Sequence, residues 1–157
     1  MGTNVQSLVL AGRAINTARL GQHAHATQVV GRSRMKRLCV AVVDDEPAVR
    51  KGLSRLLRTA DFEPRTYESA QAFLDDLAHQ SPDCVVVDLQ MPGISGMDLQ
   101  ATLRRTAEGL PVIIVTARDD QESHERCLAL GAAACLVKPL DCETLVDVIH
   151  SVVASRD

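Results

Sequence analysis

Five polar residues follow the ends of four short apolar runs, and together they could hold and transfer a phosphoryl group. Asp44 and Asp45 follow Leu38–Val43, Asp88 follows Cys84–Val87, Thr116 follows Val112–Val115, and Lys138 follows Ala134–Val137. Adjacent carboxylates repel each other, which costs stability unless a cation or hydrogen bonds compensate. Three clustered acids suit a hard divalent cation that keeps several waters, which describes Mg²⁺ better than Zn²⁺. A hydroxyl and an ammonium can each donate to phosphoryl oxygens while the metal neutralises a third, the electrostatic cradle that phosphoryl transfer requires. In that scheme Asp88 is either a metal ligand only or the nucleophile that accepts the group. Each residue alone has a simpler role: Asp44 or Asp45 as a helix cap, Thr116 as a strand former, Lys138 as a solvated charge. Their joint placement is the argument for a site.

The four runs are continuous, short and rich in β-branched residues, which suits strands buried on both faces of a parallel sheet. The carboxyl ends of such strands line the ligand crevice of an open sheet, so the five polar groups gather on one rim. Between the runs, helical spacing recurs. Pro47 stands at a helix start, with Val49, Leu53, Leu56 and Leu57 behind it. Glu63–Tyr67 fits a further short strand, and Ser69 can cap a helix carrying Ala72, Phe73 and Leu77. Met91-Pro92-Gly93-Ile94-Ser95-Gly96 is turn-forming, a helix runs from about Met97 to Thr106, and Gly109 and Pro111 stop it. Asp119 or Asp120 opens a helix ending near Gly131, and Asp141 caps the last, which continues to about Ala154. Five strands alternating with five helices predict an α/β, flavodoxin-like, doubly wound (βα)5 fold with a five-stranded parallel sheet in the order 2-1-3-4-5.

Composition narrows the function classes. The 157 residues suit one ordinary domain, 46% apolar, without a stretch long enough to cross a bilayer. Phe62, Tyr67 and Phe73 are the only aromatic residues, so the core is aliphatic and stacking platforms for single-stranded nucleic acid are lacking. The net charge of −3 conceals a division: residues 1–37 carry six basic and no acidic residues. The other 11 basic and 20 acidic residues leave 38–157 at −9, which repels nucleic acid. Residues 1–37 read as a basic, flexible N-terminal extension, partly helical around Val5–Leu20, with Met35 as an alternative start. A mitochondrial transit peptide is a second reading of that segment, and a secretory signal does not fit it. Cys39, Cys84, Cys127, Cys135 and Cys142 show no paired metal spacing and read as free thiols in a reducing cytosol.

Residues 38–155 resemble the receiver domain of bacterial two-component response regulators. The likeness is carried, in order, by Val42-Val43-Asp44-Asp45-Glu46 and by Val85-Val86-Val87-Asp88-Leu89-Gln90-Met91-Pro92-Gly93-Ile94-Ser95-Gly96. Val115-Thr116-Ala117, Gly131-Ala132 and Leu136-Val137-Lys138-Pro139 complete it. The resemblance implies that Asp88 is the phosphoacceptor and that Mg²⁺ is the cofactor. Asp45 would ligate the metal directly, Asp44 would position a metal-bound water, and Asp88 and the main-chain carbonyl of Gln90 would be further ligands. Thr116 would hydrogen-bond the arriving phosphoryl group, Lys138 would pair with another of its oxygens, and the Lys138–Pro139 bond would be cis. One position departs from the family, which usually carries an aromatic switch residue three places before the lysine; here it is Cys135. With Cys135 small, Thr116 is free to move and the response is expected to pass through the loop before the fourth helix. Moving an equilibrium from 1:99 to 99:1 takes about 5.5 kcal/mol, and two phosphoryl contacts from Thr116 and Lys138 would supply most of it.

By the same resemblance the chain is a phosphorelay switch, not a turnover enzyme, although it catalyses its own phosphorylation and dephosphorylation. The expected partners are a sensor histidine kinase or phosphotransfer protein and a downstream protein target, with homodimerisation on phosphorylation. Neither nucleic acid nor membrane binding is expected, and the cytoplasm is the expected location. Arg50-Lys51-Gly52-Leu53 and the Ser95-Gly96 loop resemble regulators fused to DNA-binding modules, so the chain is either a stand-alone regulator or one whose output portion is missing. Gln90 and Arg118, flanking the site, are expected to tune the lifetime of the phosphate. A haloacid-dehalogenase-type phosphatase would use similar residues but needs a second acid where Gln90 stands. A degenerate receiver used only as a binding surface is the third reading, and a dinucleotide site fails for want of a Gly-rich turn after the first strand.

Overall fold

Each apolar run of the sequence forms a strand, and each intervening segment packs as a helix on one side or other of the sheet. The computed structural model describes Val9–Leu10 and residues 36–156. The elements alternate as β1 (Cys39–Val43), α1 (Pro47–Thr59), β2 (Glu63–Tyr67), α2 (Ala70–Leu77) and β3 (Cys84–Asp88). They continue as α3 (Gly96–Thr106), β4 (Val112–Thr116), α4 (Gln121–Ala129), β5 (Ala134–Val137) and α5 (Cys142–Ala154). The five strands pair in parallel in the order β2-β1-β3-β4-β5, as expected.

Local sequence explains where the elements begin. Ser69, Ser95, Asp120 and Asp141 each accept a backbone N–H of the first helical turn, and such a cap is worth about 1 kcal/mol. Between the expected Asp119 and Asp120, the structure selects Asp120. Helix α1 has no side-chain cap and relies on Pro47, whose missing N–H is one that the first turn could not have satisfied. Pro64 lies in β2, an edge strand, where a ladder donor can be spared.

Two apolar layers flank the sheet. On one face Leu53 and Leu57 of α1 and Leu145, Val148, Ile149 and Val152 of α5 cover Val40, Val42, Val86, Ile113 and Val115. On the other, Phe73 of α2, Leu99 and Leu103 of α3 and Cys127 of α4 cover Ala41, Val43, Val85, Val87 and Ile114. Residues on β1, β3 and β4 alternate between the two layers, so these strands are buried on both faces. All five cysteines are free; Cys39, Cys84, Cys127 and Cys135 are buried as small apolar residues and Cys142 is exposed.

One expectation fails. Val9–Leu10 form a two-residue strand, antiparallel to β5, with Val9 opposite Cys135 and Leu10 opposite Ala134, where a partly helical stretch was expected. The outer edge of β5 presents unpaired N–H and C=O groups that accept an extended segment, a tertiary demand that local spacing does not reveal. The remainder of the Val5–Leu20 expectation lies outside the described residues. Among the described residues no helix is long and apolar enough to cross a membrane.

Leu145 is fully buried between α5 and the sheet. Leu145→Ala is expected to lower unfolding stability by about 2–5 kcal/mol, read from the urea midpoint at unchanged slope.

Candidate functional site

Parallel pairing brings the ends of β1, β3, β4 and β5 to one rim of the sheet. Val43 stands opposite Val87, Asp88 opposite Val115, and Thr116 opposite Val137, so the residues that follow converge. Asp44, Asp45 and Asp88 gather there, with one carboxylate oxygen from each lying within 4.8 Å of the others. Lys138 joins them: its Nζ is 3.4 Å from Asp88 Oδ2 and 3.7 Å from Asp44 Oδ2. Beneath them is a small cleft whose apolar walls include Val42, Val86, Val115 and Leu140.

Local structure fixes most of these groups. Asp44 is 3% exposed; its N–H donates to the Tyr67 carbonyl, and its Oδ1 accepts the N–H of Glu46 at 2.9 Å. That turn, not a helix cap, is the role of the Asp44 side chain; Glu46 occupies the N-cap position of α1 without a side-chain cap bond. The Asp44 carbonyl accepts Arg50 Nη1 from the first turn of α1 at 2.7 Å. Asp45 is exposed. Asp88 is 8% exposed, and its Oδ1 accepts the N–H of Gln90 at 3.2 Å, which curls the chain after β3. Thr116 is fully buried, and its Oγ1 accepts the N–H of Arg118 at 3.1 Å, leaving the hydroxyl proton available to donate. The N–H of Lys138 donates to the Thr116 carbonyl at 2.8 Å, so the two residues share a backbone tie. The Lys138–Pro139 bond is cis.

Gly96 lets the acceptor loop fold back on its own strand end. A Cβ at that position would lie 2.6 Å from the Asp88 carbonyl oxygen and 2.8 Å from Leu89 Cα, both backbone atoms that cannot swing away. The Gly96 N–H donates to the Leu89 carbonyl, and the Ser95–Asp98 capping box starts α3 immediately behind it.

The electrostatics are unbalanced. Burial pushes the Asp88 carboxyl above its ordinary value; the Gln90 amide and the Lys138 ammonium pull it down, and the Asp44 charge pushes it up again. Three carboxylates and one ammonium leave a surplus of two negative charges at the rim. A divalent cation matches that surplus, and an all-oxygen donor set with one exposed carboxylate suits a hard ion that keeps several waters. The residues therefore fit Mg²⁺. Among the described residues, no other group of three or more such ligands comes as close together.

Asp44, Asp45, Asp88 and Lys138 converge through their side chains, the Gln90 N–H bonds Asp88, and Thr116 stands at the neighbouring strand end, tied to Lys138 through its carbonyl. Cys135 is buried against Cys127 and the α3 layer, and burial pushes its thiol up to about 12. A neutral, enclosed thiol has no ring to carry between two positions. Sequence reading assigned no site role to Arg50. Its contact is to a backbone carbonyl, which no residue type or spacing marks.

Comparisons with known proteins identify the family and the fold. The family model described as the response regulator receiver domain matches residues 40–150. The transcriptional regulatory protein FixJ of Bradyrhizobium diazoefficiens is 35% identical over 118 residues, covering 75% of this chain and 58% of the relative. The transcriptional regulatory protein TdiR of Thauera aromatica is 36% identical over 115 residues, covering 73% and 51%. The chain thus spans about half the length of the curated relatives it matches. Among solved structures, FixJ-N superposes with a TM-score of 0.71 at 29% identity, covering 76% of this chain and 96% of the other. The Vibrio cholerae chemotaxis protein CheY4 gives 0.70 at 26%, covering 74% and 98%.

Gly96→Ala is expected to cost about 1–3 kcal/mol in denaturant unfolding, because the added methyl group meets backbone and not a movable side chain. Amide shifts at Asp88–Gln90 should move with it.

Proposed function

This chain belongs to the response regulator receiver family, whose general role is phosphorelay signalling, and on that premise we propose that Asp88 is its phosphoacceptor. The observation that carries the proposal is the Asp88 carboxylate, 8% exposed, with Lys138 Nζ at 3.4 Å and the Asp44 and Asp45 carboxylates beside it. In the reaction an Asp88 carboxylate oxygen forms a bond to phosphorus while the bond from phosphorus to the donor's leaving group breaks. The product is a mixed anhydride on Asp88. Lys138 meets one phosphoryl oxygen, and the Thr116 hydroxyl donates to another once it turns toward the group.

Asp44, Asp45, Asp88 and the Gln90 carbonyl would hold Mg²⁺, with Asp44 acting through a bound water. Bound there, the cation would offset the negative charge of the carboxylates and of the incoming phosphoryl group. Burial excludes water from one side of Asp88, while the exposed Asp45 side leaves an entrance for the donor.

We read residues 38–155 as the receiver domain and 1–37 as a separate basic extension. The phosphoryl donor is a sensor histidine kinase or phosphotransfer protein in the cytoplasm. The acceptor state presents an altered surface to a downstream protein and to a second copy of this chain. The −9 charge of 38–157 gives that surface no affinity for nucleic acid. The chain acts as a switch that handles its own phosphate. A haloacid-dehalogenase-type phosphatase is disfavoured because Gln90 stands where the second acid would be and offers no carboxylate.

Incubation with Mg²⁺ and acetyl phosphate, followed by intact mass, tests the assignment. The unaltered chain gains one phosphoryl group, and neither Asp88→Asn nor a sample treated with chelator gains any. Uptake by Asp88→Asn equal to the unaltered chain overturns it. Thr116→Ala is expected to take up the group but to lower the equilibrium constant for the active state by at least about tenfold, one charge-assisted hydrogen bond's worth. That loss is read from amide shifts in α4 and β5 on phosphorylation.

A further inference from the structure

Asp45 is exposed and, among the described residues, its side chain makes no ion pair or hydrogen bond within the protein. Its carboxylate nevertheless has an oxygen within 4.8 Å of oxygens of Asp44 and Asp88, and what places it is its backbone and rotamer, with no side-chain partner. That backbone is held by α1. The Asp44 carbonyl and the Asp45 N–H belong to one rigid peptide plane, so fixing the carbonyl fixes the Asp45 N–Cα axis, and the Glu46 N–H bond to Asp44 Oδ1 holds the peptide on the other side; together they aim the Asp45 Cα–Cβ bond. Arg50 Nη1 donates to that carbonyl at 2.7 Å, and the Arg50 N–H donates to the Glu46 carbonyl at 3.1 Å, so one residue clasps the loop twice. The guanidinium makes no ion pair among the described residues.

From these contacts, and resting on the receiver reading above, we infer that Arg50 is a positioning residue for the metal site: it orients the Asp44–Asp45 peptide so that the Asp45 carboxylate can ligate Mg²⁺. The inference carries a sign. A guanidinium near a cation site repels the cation, so an Arg50 that acted only through its charge would tighten Mg²⁺ binding when removed. An Arg50 that acts by holding the loop would weaken binding when removed. Outer partners of metal ligands are commonly worth about 10–100-fold in affinity.

The test compares the unaltered chain, Arg50→Ala, Arg50→Lys and Arg50→Gln by calorimetric Mg²⁺ titration and by the amide shifts of Asp45 and Glu46. Alanine is a better helix former than arginine, so the first variant keeps α1. Arg50→Ala is expected to weaken Mg²⁺ binding by about tenfold, and Arg50→Lys, which keeps a long cationic donor, to restore most of it. Arg50→Gln removes the charge and shortens the donor; if charge alone mattered it would bind more tightly than the unaltered chain, and weaker binding supports the inference. In phosphorylation by acetyl phosphate, the half-saturating Mg²⁺ concentration should rise while the rate at saturating Mg²⁺ stays within about twofold, a split that general destabilisation would not produce. An Arg50→Ala variant that binds Mg²⁺ as tightly as the unaltered chain, or more tightly, overturns the inference and leaves the receiver reading intact. An unaltered chain that binds no Mg²⁺ overturns both.

Discussion

Like charges held together against their repulsion set the terms for the rest of this molecule. Asp44 and Asp88 are almost withdrawn from water, their carboxylates are within 4.8 Å of each other and of Asp45, and one ammonium stands between the two buried ones. Such an arrangement survives only where the scaffold is stiff and each acid has other bonds. The sheet supplies the stiffness, with β1 and β3 buried on both faces and paired side by side. Backbone amides supply the bonds, from Glu46 to Asp44 and from Gln90 to Asp88. The residual negative charge is what a divalent cation at the rim would neutralise.

The loops around the site follow from the same demand. Gly96 allows the chain after β3 to return against the Asp88 backbone, which a side chain would block. The Thr116 carbonyl accepts the Lys138 N–H, so the hydroxyl and the ammonium are mounted on one short frame across the ends of β4 and β5. Of the three acids only Asp45 is left to solvent, and its backbone is held from behind by α1.

Much of this was legible from residue types. Runs such as Val85–Val87 and Val112–Val115 lack polar alternation, which is the mark of strands covered on both faces, and polar residues at their ends identified the rim. Capping residues announced three helix starts, at Ser69, at Asp119 or Asp120 and at Asp141, and the choice between Asp119 and Asp120 turned on which carboxylate reaches the Ser123 N–H. What could not be read depends on contacts to backbone. The Arg50 bond to the Asp44 carbonyl leaves no trace in side-chain pattern, because any residue at 44 offers the same acceptor. The pairing of Val9–Leu10 with β5 is set by an open strand edge far away in the sequence, and a two-residue strand is too short to show a period.

Geometry also redistributes the energy of the proposed switch. Two phosphoryl contacts look sufficient when each is counted as new, but Lys138 already lies 3.4 Å from Asp88 before any phosphoryl group arrives. A contact present in both states contributes only the difference between them. The Thr116 hydroxyl is different: its oxygen accepts from Arg118, while its proton is committed to no partner in the described structure. More of the differential stabilisation therefore falls on Thr116, and one charge-assisted bond of about 1.5–3 kcal/mol is short of the roughly 5.5 kcal/mol that a near-complete population shift needs. The shortfall must be met elsewhere or the shift is partial. Cys135, enclosed beside Cys127, cannot meet it by moving a ring. The segment from Ala117 to Asp120, exposed and leading from Thr116 straight into α4, is the part of the rim with freedom to gain contacts as the hydroxyl turns. A receiver built this way should respond in proportion to how firmly that segment is captured by its partner, so that phosphate and partner each complete what the other leaves unfinished.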